Sequence, residues 1–189
     1  MEHTQSRARL VFSLFAVLSL LAACSSNSSD STKFSNADLM FAQMMIPHHE
    51  QAIEMSDLAI TNSENLDVIS LAKRVKSAQA PEIVQMKRWQ ENRDSGHMGH
   101  DMMGDSDESG SGMMGMLDES EISKLKETTG VEFDRLFLKG MIAHHEGAVE
   151  MANMVVDSKN KEAAALGKAI IESQSAEIDE MNTILSKLS

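Results

Sequence analysis

The feature that most narrows what this chain can become is that it is written twice. Phe41–Met55 (FAQMMIPHHEQAIEM) returns 96 residues later as Phe137–Met151 (FLKGMIAHHEGAVEM). The stretch that follows returns as well: Asn65, Leu71, Gln79, Glu82, Ile83 and Met86 correspond to Asn160, Leu166, Gln174, Glu177, Ile178 and Met181, 95 residues on. Two copies of one unit, each unable to bury its apolar face alone, are expected to pack on each other. Phe137, Met141, Ala148, Met151 and Val155 keep the 4,3 spacing of a helix stripe, and no useful run alternates with period 2.

Ser35 with Asp38 reads as a capping box, and Asn65 and Asn160 read as N-caps. These signals predict four main helices over 36–61, 66–92, 131–157 and 161–187, with a short helix over 118–128. The expected fold is all-α, an antiparallel four-helix bundle built from two repeated helical hairpins. The expected segments are a leader (1–23), a flexible tether (24–34), the first hairpin (35–93), a His/Met-rich linker (94–117), and a short helix with the second hairpin (118–189). Residues 35–189 form one domain on this reading. Pro47 and Pro81 stand where the second copy has Ala143 and Ala176. Because a mid-helix proline costs about 3 kcal/mol, local kinks are expected there.

At 100° per residue, His48 and His49 lie on either edge of the apolar sector of their helix, with Met45 between them one turn earlier. His144, His145 and Met141 repeat this arrangement, and Met44 adds an i-4 partner for His48. Glu50, Glu54, Glu146 and Glu150 fall towards the far side and read as solvated. Glu82 and Glu177 instead share a stripe with core residues, and a buried carboxylate needs a proton, a partner or a metal. The histidines of the neighbouring helix can supply that partner, with Gln79 and Gln174 completing the network. Two readings stay open: a hydrogen-bonded polar layer that sets helix register, or imidazoles and thioethers that hold a metal, for which thioether favours Cu(I). Met55, Met86, Met151 and Met181 read as core filler.

The linker is different in kind. His97, Met98, His100, Met102 and Met103, followed by Met113, Met114 and Met116, are set among Gly, Ser and Asp and cannot make a core. Soft thioethers beside imidazoles suit Cu(I) and, by the same softness, Ag(I). The plainer reading is a solvated low-complexity segment.

Arg7 and Arg9 precede a 14-residue apolar run, Leu10–Ala23, which is short for a permanent span and reads as an export signal. Its end, Leu21-Ala22-Ala23-Cys24, resembles the bacterial lipobox, which would make Cys24 a lipid-carrying N-terminus anchored in a membrane. An ordinary signal peptide with a leftover cysteine is the plainer alternative. As the sole cysteine, Cys24 leaves no intramolecular disulfide and no thiolate metal site. A net charge of -12 repels polyanions and makes nucleic acid an unsuitable partner.

The twice-occurring Met-Ile-x-His-His-Glu-x-Ala-[Ile/Val]-Glu-Met, with its Gln-x-x-Glu-Ile-x-x-Met second helix, resembles the domain-of-unknown-function 305 family over about residues 36–187. The resemblance implies a ferritin-like bundle and, from exported copper-binding members of the CopM type, copper sequestration outside the cytoplasm. It directs attention to His48, His49, His144, His145 and the nearby methionines. There is no Glu-x-x-His motif and one core Glu per hairpin, which argues against di-iron ferroxidase chemistry.

The function expected is therefore non-enzymatic: an extracytoplasmic, membrane-anchored protein that captures copper, with Cu(I) favoured and Cu(II) and Ag(I) as further ions, for buffering, sequestration or hand-over. The alternative is a metal-free helical envelope lipoprotein that binds a protein partner the sequence does not identify. A metalloenzyme stands third, weakened by the missing carboxylates and the absence of a nucleophile constellation.

Overall fold

The structure, a computed structural model, describes residues 33–94 and 114–188. Among these residues it is all-helical, with five helices in the order α1 (Asn36–Asn62), α2 (Leu66–Asp94), α3 (Glu119–Glu127), α4 (Gly130–Ala152) and α5 (Lys161–Lys187). None of the described helices is long and apolar enough to cross a membrane.

The helix starts follow from local chemistry. Ser35 and Asp38 form the reciprocal capping box ahead of α1, with Ser35 N donating to Asp38 Oδ2 at 2.7 Å and Asp38 N donating to Ser35 Oγ at 3.2 Å. Asp118 and Glu121 repeat the motif at α3. Asn65 Oδ1 accepts from Asp67 N, and Asn160 Oδ1 from Glu162 N and Ala163 N. Pro47 and Pro81 lie inside helices that continue through them, so neither proline ends its helix. α4 is shorter than its pattern suggests. After Ala152 the chain tightens into i+3 bonds, Met154 N to Met151 O and Val155 N to Ala152 O, and Asn153 Nδ2 donates to Val149 O. This tight bend brings Val155 against Gly167 of α5, where a Cβ on the glycine would lie 2.7 Å from Val155 Cγ2.

Short connections pack α1 on α2 and α4 on α5, and the two hairpins meet chiefly through α1 and α4, with a lighter contact between α2 and α5. The apolar interior falls into two clusters. One gathers Met55, Leu71, Val75, Phe133, Phe137, Met141 and Met181 among others; the second gathers Phe41, Met45, Met86, Trp89, Met151 and Ile170. Each such side chain stabilises by roughly 1.5–3 kcal/mol when fully buried, so these clusters carry the fold. Each long helix passes from one cluster to the other, and the segments between them hold polar side chains.

Candidate functional site

The polar layer between the clusters is made by the repeated His-His pairs. Adjacent helical residues point 100° apart, so one histidine of each pair faces the other hairpin and the next faces its own hairpin's second helix. His48 and His144 meet across the α1/α4 contact with ring centroids 3.7 Å apart and planes tilted by 36°. His49 Nε2 donates to Glu82 Oε2 of α2 at 2.8 Å, and His145 Nε2 donates to Glu177 Oε2 of α5, also at 2.8 Å. All four imidazoles are completely buried. Glu82 and Glu177 are not interior: their side chains keep 18% and 16% of their exposure, so the carboxylates sit at the edge of the layer with one side in water. That placement leaves each carboxylate partly hydrated and lowers the desolvation cost that a fully buried one would bear.

His48 has a different kind of acceptor. Its Nε2 donates to the carbonyl oxygen of Met114 at 3.0 Å. Met114–Leu117, the end of the segment expected to be a loose linker, is a strap held against α1 and α4. Gln51 grips it with both ends of its amide, Nε2 donating to Leu117 O and Oε1 accepting from Leu117 N, each at 2.8 Å. Gly115 takes a φ of +78°, in the region that favours glycine, and a Cβ there would lie 2.0 Å from Ala143 O. A Cβ on Gly147 would lie 1.7 Å from Met114 O, so the two backbones approach more closely than any side chain allows. Beside the strap, a cleft of about 440 Å³ lined by Met116, Leu117, Leu136 and Lys139 has no histidine.

The electrostatics follow from burial. Desolvation pushes His48 from its ordinary value of 6.5 down to about 4, aided by the neighbouring His49 and His145 and opposed by its bond to Met114 O. His144 is held well below its ordinary range, first by burial and then by the imidazoles around it. The facing pair is therefore neutral at pH 7, each ring with a lone pair to offer. The Nδ1 atoms of His48, His49, His144 and His145 are all buried without a hydrogen-bond partner, and His144 Nε2 is a further such atom. Buried polar atoms are ordinarily satisfied, so this concentration of exceptions in one layer marks it as a candidate ligand site. Gln79 and Gln174, expected to complete the network, do not: both are 2% exposed, and Gln79 Nε2 and Oε1 and Gln174 Oε1 lack partners.

Met45 and Met141 are fully buried in different apolar clusters, one on either side of the layer, and Met44 is half-buried against the Met45 cluster. Glu50, Glu54, Glu146 and Glu150 are exposed, with Glu50 and Glu54 paired to Lys87 and Lys126. Among the described residues, no group of three or more His, Cys, Asp or Glu side chains is arranged to hold a metal ion. Cys24, His97, Met98, His100, Met102 and Met103 lie outside the described residues. The sequence reading missed Gln51, Gly115 and Gly147, although one signal was present: Gln51 and Gly147 occupy equivalent positions of the repeat and differ sharply in size.

Comparison with known proteins places these features in a wider set. The family described as Domain of unknown function (DUF305) matches residues 38–185. A DUF305 fragment from Deinococcus radiodurans is similar at 28% identity and a TM-score of 0.69, over 82% of this chain and 99% of that one. A DUF305 protein from Streptomyces coelicolor, assigned as secreted, is similar at 29% identity and a TM-score of 0.70, over 80% and 93%. CopM in its Cu(II)-bound form is similar at 32% identity and a TM-score of 0.66, over 80% and 97%; its Cu(I)-bound and Ag-bound forms also match. No curated protein matches the chain.

Proposed function

This chain belongs to the DUF305 family, and from that premise we propose that it captures copper, Cu(I) in preference to Cu(II), with Ag(I) as a competing ion, for buffering, sequestration or hand-over outside the cytoplasm. The observation that carries the reading is the histidine layer: four buried imidazoles, each with an unpartnered Nδ1, of which His48 and His144 are kept neutral by burial. Neutral imidazole is the form that binds metal. The held Nε2–H groups of His48, His49 and His145 match the outer hydrogen bonds that orient metal-binding histidines. Met45 and Met141, and Met44 at the edge, are the thioethers nearest in sequence to the pairs and would supply the soft ligands that favour Cu(I). CopM with bound copper and silver supports the same choice of ions.

On this reading the bundle is antiparallel, four-helical and ferritin-like, with α3 as an accessory, and the protein is a carrier with no catalytic role. Cys24 holds it on a membrane through a lipid, and His97, Met98, His100, Met102 and Met103 form a second, looser class of copper ligand. Mass spectrometry of the mature N-terminus should find Cys24 acylated; an unmodified Cys24 would remove the anchor.

The metal reading is tested by replacing His48, His49, His144 and His145 together with leucine and titrating Cu(I) anaerobically against a competing chelator, with circular dichroism to confirm the helices. The tight site should weaken by on the order of a hundredfold or more, since loss of outer-shell partners alone typically costs 10–100-fold. A folded variant that binds like the unaltered protein would make the layer structural and leave copper to the linker. If deletion of 97–113 then also changed nothing, a metal-free lipoprotein that binds a protein partner would be the better account.

A further inference from the structure

Among the described residues the strap has no counterpart in the other copy of the repeat. Where it crosses α4 it meets Gly140, Ala143 and Gly147; the equivalent positions of α1 are Met44, Pro47 and Gln51. The α4 copy is small along this line, so backbone can seat against it, and a Cβ on Gly140 would already touch the Leu117 side chain at 3.0 Å. The α1 copy contributes the amide of Gln51, which closes on Leu117. The divergence between the two copies is thus a matched seat and clamp for one short piece of backbone, and that backbone delivers a carbonyl to His48.

Three of the four layer histidines have Nε2 held by an acceptor from outside their own helix: Glu82 for His49, Glu177 for His145 and Met114 O for His48. Carboxylate and carbonyl oxygens only accept, so each bond requires a proton on Nε2 and, in a neutral ring, leaves the lone pair on Nδ1. We infer that Met114–Leu117 is a positioning element of the histidine layer, its Met114 carbonyl fixing His48 as the Nε2–H tautomer so that Nδ1 is the atom presented to a metal. The inference rests on the metal-binding reading above. It assigns Gln51, Gly115 and Gly147 a part in metal capture although none of them can ligate through a side chain at the site: they set where the carbonyl lies. A side chain at 147 would displace the acceptor directly, and one at 115 would lift the strap from Ala143.

The test uses Gly115→Val, which leaves the sequences of α1 and α4 untouched, and Gln51→Ala, which removes the clamp without adding bulk; circular dichroism checks that both keep the helices. In the metal-free protein, imidazole 15N spectra should show His48 protonated at Nε2 in the unaltered chain and a mixed tautomer in both variants, with His49 and His145 unchanged. Cu(I) competition should show affinity at the bundle site falling by roughly 10–100-fold. The inference is overturned if His48 keeps its Nε2–H tautomer in both variants, or if the tautomer is lost and Cu(I) affinity stays the same. Absence of Cu(I) binding at the bundle in the unaltered protein would instead defeat the proposed function, while the metal-free spectra would still decide whether the strap sets the tautomer.

Discussion

The first hairpin and the second carry the same His-His motif and the same glutamate on the second helix, and end with histidines in different circumstances. His49 and His145 are equivalent down to the 2.8 Å bond each makes to the glutamate of its own second helix. His48 and His144 are not. They face each other at 3.7 Å, yet His48 bonds to the Met114 carbonyl at 3.0 Å while His144 makes no well-formed hydrogen bond and has only a weak contact with the His48 carbonyl. The difference arises from the segment joining the copies, whose end docks on one face of the pair. The two His-His pairs supply a matched layer, and the segment that docks beside them breaks the symmetry. The cost falls on His144: two buried nitrogens without a well-formed hydrogen bond are tolerated because the apolar clusters on both sides carry the fold.

The largest expected effect that probes this asymmetry is the dependence of stability on pH. His48 is pushed down to about 4 in the folded protein, against an ordinary value of 6.5. Between those values the unfolded chain binds the proton and the folded chain does not, so stability is full above pH 6.5 and is lost as pH falls towards 4. For His48 alone this amounts to about 3 kcal/mol at the acid end, and His144, also held well below its ordinary range, adds to it in the same direction. Urea unfolding at pH 7.5 and pH 4.5 should show the loss in the metal-free protein. His144→Leu should flatten the profile more than His48→Leu, because the His48 carbonyl offsets the burial of His144 less than Met114 O offsets that of His48; equal flattening would break the comparison.

A smaller effect separates the pair at pH 7.5. His144→Leu removes two unsatisfied nitrogens and should raise the stability of the metal-free protein by about 1–2 kcal/mol. His48→Leu should gain less, because it takes the donor from Met114 O. Chemical denaturation of the two single variants checks this, and equal gains would mean that the strap's hydrogen bond contributes nothing. Any gain should come with weaker Cu(I) binding, as expected where unsatisfied groups are kept for a ligand.

The smallest effect tests the half of the comparison that is symmetric. Glu82→Gln and Glu177→Gln each weaken one hydrogen bond to a buried histidine at a partly solvated carboxylate, and should cost about 1 kcal/mol apiece at pH 7.5. Equal costs would sharpen the comparison by confining the asymmetry to His48 and His144. A clear inequality would show that the influence of the strap reaches α2 or α5.

What the sequence determined by itself was local and periodic. The caps at Ser35, Asn65 and Asn160, the inward placement of both His-His pairs, the outward placement of Glu50, Glu54, Glu146 and Glu150, and the partnership of Glu82 and Glu177 with histidine were all legible. Each depends on residue type and a 100° step along one helix, or on a repeat that pairs adjacent helices. The end of α4 was misjudged because its apolar pattern continues to Val155 while Asn153 and the packing on Gly167 turn the backbone earlier. Tertiary structure alone decided which histidine meets which, that Gln79 and Gln174 stay unpartnered, and that Met114 presents its carbonyl to His48 from 66 residues away. A backbone carbonyl is common to every residue and leaves no mark in sequence. Its position depends on how far two helices separate and on what fills the groove between them, which is settled only when the whole interior packs at once.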